Sequence, residues 1–184
     1  TVIGRCNFYL DQVDDLREKL TDDVDIMTLD FFTGEVYCAR ALAYSELVKC
    51  FCKAYDPATA ENELGVVLRS SYFNEEPVSR SSLKATYDFI LADLVKAEEL
   101  LDEENDYYDA AYFTNASAHA IHARMALYMQ DWDAAIEHST KLIESDAFAL
   151  ASARSYATSD QTFLQYMWTN DASYESIWRI GYTA

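Results

Sequence analysis

The clearest hydrophobic period in the chain lies in residues 114–145, TNASAHAIHARMALYMQDWDAAIEHSTKLIES. From Trp132 to Ile143, apolar residues recur at spacings of three and four, which is the period of one face of an α-helix. Before the turn, alanines such as Ala123 are small enough to let a neighbouring backbone come close. Asp131 is a good N-cap for the second helix, because its carboxylate can accept hydrogen bonds from the first free amides. The stretch therefore predicts two helices folded back on each other, and we expect the remaining chain to pack around them.

This hairpin resembles a tetratricopeptide repeat, in which small residues allow the helices to cross closely and an aromatic residue fills the turn. Ala123, Trp132 and Ala135 fall at those positions. Gln130 stands where glycine is common, so we expect the turn to adopt a conformation open to a residue with a Cβ. Ala147 occupies the place where proline often ends the repeat.

Two earlier stretches also have helical spacing, and together they predict a first hairpin. Tyr44 lies in an apolar row that begins at Tyr37, and Ile90 lies in a second row that ends at Leu101. Residues 53–78 lose the period and contain two prolines and a glycine, which predicts a long irregular loop. Loops longer than about 15 residues in compact domains are more often functional than idle. The positions that we assign to repeat packing in the two hairpins are Tyr44, Ile90, Ala97, Ala123, Trp132 and Ala135.

The helical period weakens after residue 145. A short helix is predicted around residues 162–167, and the alternation in residues 175–182 predicts a strand. A lone strand lacks a partner, and the helical pattern of residues 2–20 begins without a cap of its own, so we expect a piece of a longer protein. The predicted organisation is one helical segment over 1–184, with the first helices and hairpin in 1–101, the second hairpin in 114–145 and the start of an irregular region in 146–184.

The composition favours helices and argues against several classes of function. The chain has 184 residues, 51% of them hydrophobic, and its four glycines and two prolines are few for a many-stranded sheet. Fourteen Lys and Arg stand against 32 Asp and Glu, so the formal net charge is −18. Such an excess of carboxylates repels phosphate backbones and anionic lipids, which argues against nucleic-acid binding. No run of 18 uncharged residues is present, so we predict no transmembrane segment in this chain.

The aromatic residues indicate a binding role. The chain has 14 Tyr, nine Phe and three Trp, and the apolar face of a sugar ring stacks on an aromatic plane. Tyr72 and Phe73 lie on the long loop, where they either stack on a glycan or pin the loop to the scaffold, and Tyr55 beside the loop has the same two interpretations. Trp168, before an Asn-Asp turn, is either exposed as a further glycan contact or part of the core.

Histidines and carboxylates form no complete catalytic or metal motif in the sequence. His119 and His122 are three residues apart on a helix and could ligate a metal only with a third ligand nearby, so we interpret them as helix-surface or groove histidines. His138 has no sequence partner for catalysis. The acidic run in residues 102–106 could do acid-base work on a glycoside only if two carboxylates were held about 5 to 10 Å apart, and a solvated helix end explains it more simply. We predict no catalytic residue, no metal and no cofactor.

Asn115 and the cysteines also have simple structural interpretations. Asn115 begins an Asn-Ala-Ser glycosylation pattern, but a helix N-cap accounts for it. The cysteines lack the spacing of a zinc or redox motif, so we expect small buried hydrophobic residues at Cys6, Cys38, Cys50 and Cys52.

Taken together, several short motifs resemble the SusD/RagB family, the nutrient-binding lipoproteins on the outer membrane of Bacteroidetes. Their order and spacing cover nearly the whole chain, although each motif alone is weak. The motifs are RCNFYLDQVD at 5–14, ARALAYSELVKCFCKAY at 39–55, GVVLR at 65–69, PVSRSSLKATYDFILADLVKAEELL at 77–101, ASAHAIHARMALYMQDWDAAIEHSTKLI at 116–143 and ESIWRI at 175–180. Val67 departs from the pattern where proline is usual, and Cys50 and Cys52 flank Phe51 where an aromatic, glycine-rich turn is typical.

The resemblance implies a mainly α fold of tetratricopeptide-like hairpins in a SusD-like α-α superhelix, with a short strand near the C-terminus. It implies non-catalytic binding of starch or other glycan nutrients, without a cofactor, and their delivery to a SusC-like TonB-dependent transporter. It also implies surface exposure at the outer membrane, with a signal peptide and lipid anchor outside this chain. Within the chain we expect glycan contacts at Tyr72, Phe73 and Trp168, and much of the sugar-contacting surface outside it.

Two other classes of function remain as alternatives. A cytosolic tetratricopeptide adapter would grip a peptide in its groove, and a carboxylate enzyme of glycan breakdown would release products. A signal peptide ending in a lipid-accepting cysteine upstream of Thr1 would support the glycan-binding lipoprotein, and a nearby start codon would support the adapter. We also expect exposed apolar patches on this segment.

Overall fold

The structure is a computed structural model that describes residues 1–74, 78–101, 111–145, 147–170 and 175–179. These residues form seven helices and one two-stranded sheet, and the mainly α fold of helical hairpins is confirmed. The elements are α1 (Val2–Leu10), α2 (Val13–Arg17), α3 (Asp23–Phe51), β1 (Leu64–Val67), β2 (Arg80–Ser82), α4 (Leu83–Leu100), α5 (Asn115–Met129), α6 (Trp132–Glu144) and α7 (Phe163–Thr169).

The core lies mainly between α3 and α4. Tyr44 of α3 and both Ile90 and Ala97 of α4 are buried there, as the apolar rows of the two helices face each other. Gly34 permits a close approach to the end of α4, because a Cβ at this position would lie 2.7 Å from Cγ of Leu101. The helices therefore pack through the rows that the sequence period marks.

The second hairpin consists of α5 and α6, which pack against each other. Asp131 is the N-cap of α6, and its Oδ1 accepts a hydrogen bond from the Ala134 amide at 3.2 Å. Gln130 closes the turn in the left-handed conformation, with φ 64° and ψ 24°. This conformation favours glycine, so the turn keeps the backbone typical of the repeat although a glutamine occupies it.

Asn115 joins the two hairpins, and the prediction that it is an N-cap is wrong. Thr114 is the N-cap of α5, where it forms a capping box with Ser117. The buried Asn115 side-chain amide instead donates to the carbonyl oxygens of Glu98 and Leu101, at 3.0 and 2.9 Å. It thus supplies partners to carbonyls at the end of α4 that have none within the helix.

The first 25 residues differ from the sequence prediction. The single helix predicted over 2–20 is broken after Leu10, where Asp11 uses its carboxylate to hold another segment. The charged stretch at 21–25, predicted as a break, is a break only at residues 21 and 22, and α3 already begins at Asp23. Asp22 Oδ1 accepts hydrogen bonds from the backbone amides two and three residues later, at 2.9 and 3.3 Å. Acidic side chains bind the free amides at a helix N-terminus, which explains the early start.

The long loop is not wholly irregular, because it contains β1. This strand pairs antiparallel with β2, and Leu64 stands opposite Ser82. Gly65 is required here, since a Cβ would lie 2.0 Å from Oγ1 of Thr86 and 2.4 Å from the Ser82 carbonyl oxygen. The pairing holds the loop against the N-terminus of α4.

Two predictions concern residues that the structure describes only in part or not at all. Residues 175–179 have turn and irregular backbone, so the predicted strand is wrong for this part, and residues 180–182 lie outside the described residues. A strand gains stability only through hydrogen bonds to a partner strand, which alternation in one segment does not provide. The acidic run at 102–106 also lies outside the described residues.

The outer face of α6 is exposed. Trp132, which we expected to fill the repeat turn, is 57% exposed, and Ile136 and Ile143 on the same helix are exposed as well. Ala123 and Ala135 are partly buried. In the described part of the chain, no helix is both long and apolar enough to cross a membrane.

Candidate functional site

Tyr72 and Phe73 meet a third ring, Phe8 of α1, at the protein surface. The Phe8 ring centroid lies 5.4 Å from that of Tyr72 and 5.8 Å from that of Phe73, and the two loop rings are 5.3 Å apart. The exposed fractions are 45% for Phe8, 55% for Tyr72 and 61% for Phe73. We call these three residues the aromatic cluster. Its rings pack on one another, which anchors the loop, and still expose about half of their surface to a ligand.

The backbone of the aromatic cluster is held by Asp11. One carboxylate oxygen, Oδ2, accepts hydrogen bonds from Ser71 Oγ at 2.9 Å, the Tyr72 amide at 2.7 Å and the Phe73 amide at 3.3 Å. Charged acceptors make stronger hydrogen bonds than neutral ones, and here three donors converge on one oxygen. The two loop rings are therefore presented from a fixed backbone.

A buried ion pair lies beneath this segment. Arg40 of α3 donates from Nε and Nη2 to the two carboxylate oxygens of Asp93 in α4, each at 2.7 Å. Its Nη1 donates to Asn7 Oδ1 at 2.8 Å and to the Ser70 carbonyl oxygen at 3.4 Å. Burial raises the pKa of Asp93, and the hydrogen bonds from Arg40 oppose that rise. The guanidinium thus connects α1, α3, α4 and the loop at one point.

A groove runs beside the aromatic cluster. It has a volume of about 490 Å³, and its walls come from the start of α1, the middle of α3 and the loop segment that ends at Tyr72. Asn7, Arg69 and Ser71 bring polar groups to walls that are otherwise largely apolar. Tyr44 fixes one wall, because its hydroxyl accepts from the Arg69 amide at 2.9 Å and donates to the Arg69 carbonyl oxygen at 3.1 Å. A ring-shaped ligand can stack on Tyr72 while its hydroxyls reach hydrogen-bonding groups in the groove.

The structure adds Phe8, Asp11 and Arg40 to the residues that sequence analysis selected for this site. Arg40 carried a detectable signal, because it is a charged residue beside an apolar helical row, and Asp93 has the same feature in α4. Phe8 and Asp11 carried no such sequence signal, because their role depends on contact with a loop about 60 residues away.

The other predicted aromatic contacts lie elsewhere. Trp168 is 80% exposed on α7, and among the described residues no ring contact joins it to the aromatic cluster. Tyr55 packs against Tyr87 of α4 with ring centroids 4.7 Å apart, so it pins the start of the loop to the helix. Burial raises the pKa of Tyr87 to about 12.

The histidines come together, although the sequence offered His138 no partner. His119, His122 and His138 surround the carboxylate of Glu98, and the His122 and His138 rings stack with centroids 3.7 Å apart. Burial raises the pKa of Glu98, but hydrogen bonds from His119 and His122 outweigh it and lower the pKa to about 2. Burial, together with the charge of His122, lowers the pKa of His138 to about 4. Among the described residues, Glu98, His122 and His138 form a group that could hold a metal ion, because one ligand atom from each lies within 4.8 Å of the others. His119 lies beside this group and contacts both Glu98 and His138.

Comparison with known proteins identifies the family. A family model for SusD-like proteins, described as starch-binding and associating with the outer membrane, matches residues 1–127 of the 184. The chain belongs to the SusD-like family. The matched residues include the aromatic cluster, the buried Arg40–Asp93 pair and most of α5.

Individual relatives agree with this membership. A SusD-like protein of Formosa agariphila is 28% identical over 124 residues, which are 67% of this chain and 22% of the relative. A SusD superfamily structure from Bacteroides thetaiotaomicron matches with a TM-score of 0.69 and 21% identity, over 82% of this chain and 32% of that one. A structure described as a SusD-like carbohydrate binding protein, from Bacteroides vulgatus, matches with a TM-score of 0.66 and 20% identity, over 82% and 31%. At these identities the two structures show a shared fold.

The SusD-like chain is much shorter than these relatives. It spans 22% of the length of the curated relative and about a third of the two solved chains. The activity and partners of a whole SusD-like protein are therefore taken up below as proposals.

Proposed function

We propose that this SusD-like chain binds oligosaccharide or polysaccharide nutrients at the bacterial cell surface without cleaving them. The observation that carries the proposal is the aromatic cluster, where exposed rings stand on a backbone held by Asp11 beside a groove. Sugar rings bind aromatic faces through their apolar C–H surfaces, and rigid presentation lowers the entropy cost of binding. The descriptions of the family as starch-binding and of one solved relative as carbohydrate binding support this choice of ligand.

The proposed role of the site is binding and not catalysis. Asp11, the carboxylate in contact with the aromatic cluster, already accepts three hydrogen bonds that position the loop. A general acid or base has to be free to exchange a proton with a substrate. Asp11 therefore serves as a positioning residue in this proposal.

Binding is tested by titrating the complete product of the coding sequence with starch, xylan, mannan, pectin and alginate. The double variant Tyr72→Ala, Phe73→Ala should bind the recognised glycan at least about 10-fold more weakly, equivalent to about 1.4 kcal/mol, because the stacking faces are removed. Tyr156→Ala is the matched control, since Tyr156 is a comparably exposed tyrosine remote in sequence, and its affinity should be unchanged. No binding to any polysaccharide, equal binding by the double variant, or released oligosaccharide products would contradict the proposal.

Trp168 is proposed as a further glycan contact, separate from the aromatic cluster. The indole is exposed on α7, so a long glycan that reaches it would contact two places on the chain. A loss of affinity in Trp168→Ala that adds to the loss in the double variant would support this extension. Unchanged affinity for long glycans would exclude Trp168 from the site.

We also propose that the glycan is passed to a SusC-like TonB-dependent transporter, with attachment to the outer membrane by a lipid anchor outside this chain. The description of the family as associating with the outer membrane supports this location. A protein that binds a glycan without cleaving it needs a partner that takes up the intact oligosaccharide. The test is co-purification from detergent-solubilised outer membranes. A SusC-like transporter should elute with the protein in fixed stoichiometry, and recovery of the protein alone or in the cytosol would contradict the partnership.

A further inference from the structure

The only three histidines of the chain meet one carboxylate where three helices join. Glu98 belongs to α4, His119 and His122 lie about one turn apart on α5, and His138 is the buried residue of α6. The histidines are buried and the Glu98 side chain is mostly buried. This group is separate from the aromatic cluster, and the proposed glycan binding makes no use of it.

The donor atoms of the four side chains converge. Glu98 Oε1 lies 3.2 Å from His119 Nδ1, 2.7 Å from His122 Nδ1 and 3.5 Å from His138 Nδ1. His119 Nδ1 and His138 Nδ1 are 2.9 Å apart. In a tetrahedral site with metal–ligand bonds of about 2.0 to 2.1 Å, donor atoms are separated by about 3.3 Å. These four distances bracket this value, and one ligand atom each from Glu98, His122 and His138 lies within 4.8 Å of the others. His119, whose Nδ1 is near both Glu98 and His138, is the nearest candidate for a fourth ligand.

Hydrogen bonds alone serve this arrangement poorly. A neutral imidazole has one N–H and one lone pair, and three Nδ1 atoms here face the same carboxylate oxygen. His119 Nδ1 also faces His138 Nδ1, where only one of the two can donate. A divalent cation would accept one lone pair from each of the four atoms and would offset the buried carboxylate charge.

We propose that Glu98, His119, His122 and His138 bind one divalent transition metal ion of the zinc class. Imidazole and carboxylate donors suit Zn²⁺, whereas Ca²⁺ and Mg²⁺ prefer sets of oxygen ligands. Four protein ligands in a buried position make a closed site, which is typical of a structural ion. The ion would join α4 to both helices of the second hairpin, and so stabilise the contact between the two hairpins.

The test uses protein purified without a polyhistidine tag, stripped with a chelator and titrated with ZnCl₂. We expect one ion per chain, measured by calorimetry and by elemental analysis. Glu98→Gln and His138→Gln should each weaken binding by more than about 100-fold, because loss of an outer-shell partner alone costs 10- to 100-fold. Glu99→Gln is the matched control, since Glu99 is the next residue of α4 and is exposed, and it should bind as the unchanged protein does. CaCl₂ should show no one-to-one binding.

A second measurement needs no variant, so it holds even where a ligand substitution prevents folding. The unchanged protein loaded with Co²⁺ should show the intense visible absorption of a tetrahedral complex, and Zn²⁺ should displace it. Zn²⁺ should also raise the Tm of the unchanged protein and of Glu99→Gln. Substoichiometric binding, equal affinity in Glu98→Gln and Glu99→Gln, or the weak spectrum of octahedral Co²⁺ would overturn the proposal.

Discussion

Arg40 ties the helical core to the candidate site through a buried ion pair. It pairs with Asp93 inside the protein and reaches the loop through Asn7 and Ser70. Arg40→Met leaves the Asp93 carboxylate buried without its charged partner. Because removing one member of a buried pair costs about 3 to 5 kcal/mol, we expect a fall of that size in the free energy of unfolding. Urea denaturation followed by circular dichroism measures it.

The double variant Arg40→Met, Asp93→Leu is the control for this effect. It removes both charges together, and well-packed apolar replacements of buried pairs are often neutral or stabilising. We therefore expect it to recover most of the stability that Arg40→Met loses. A loss below about 1 kcal/mol in Arg40→Met would mean that water solvates the Asp93 carboxylate.

Sequence reasoning at the residue scale finds unusual side chains but not their partners. Arg40 and Asp93 are charged residues beside apolar rows, and this position is the signal that the sequence carries for them. Their pairing was not predictable, because they are 53 positions apart and meet only through the crossing of α3 and α4. Tyr72 and Phe73 were selected for lying in a loop, whereas Phe8 sits in a helix whose period gave it an ordinary core role.

At the scale of elements, the turn between α5 and α6 stores a local strain. Gln130 has φ 64°, and the left-handed region costs a residue with a Cβ roughly 1 kcal/mol relative to glycine. Gln130→Gly should therefore raise the free energy of unfolding by about 0.5 to 1 kcal/mol. The gain is reduced a little by loss of the long 3.3 Å hydrogen bond from the Gln130 side chain to the Tyr55 carbonyl oxygen.

Gln130→Ala separates these two contributions. Alanine loses the same hydrogen bond but keeps the Cβ, so it should be neutral or slightly destabilising in the same urea denaturation series. Equal stability of the glycine and alanine variants would show that backbone strain at this turn is negligible.

The helices could be predicted wherever the sequence has a clear hydrophobic period. Local spacing and capping mark the apolar rows around Tyr44 and Ile90 and the turn at Asp131. The structure has helices at both rows, and α6 begins directly after Asp131. The start of α3 and the strand β1 were missed. An acidic N-cap looks like a charged break in the sequence, which hid the start of α3. β1 forms only because it pairs with β2, and Gly65 within β1 allows the close contact.

At the scale of the whole molecule, the stacked hairpins explain both of the proposed sites. The aromatic cluster depends on α1 and the loop lying across α3. The histidine group depends on α6 packing against α5, which brings His138 to Glu98 of α4. Neither juxtaposition follows from a single segment, which is why the sequence indicated aromatic residues and a histidine pair without assembling either site. The exposed row of Trp132, Ile136 and Ile143 on α6 agrees with the expectation of uncovered apolar surface.

The net charge of −18 should make the stability of the whole chain depend on salt. Carboxylates that repel one another favour the expanded unfolded state, and raising NaCl from about 0.01 M to about 1 M shortens the Debye length from about 30 to about 3 Å. Salt weakens this repulsion, whereas it screens the buried Arg40–Asp93 pair much less. We therefore expect Tm to rise by several degrees with NaCl or KCl, measured in the presence of a chelator.

A variant of lower charge tests whether repulsion causes the salt effect. Replacing the four exposed residues Glu18, Glu61, Glu99 and Glu144 by Gln removes four negative charges, which takes the formal net charge from −18 to −14. Since screening acts only on the repulsion that remains, Tm of this variant should be higher at low salt and should rise less steeply with NaCl. A fall in Tm with salt in the unchanged chain would mean that exposed ion pairs such as Lys84–Asp88 outweigh the general repulsion, although pairs of this kind contribute little individually.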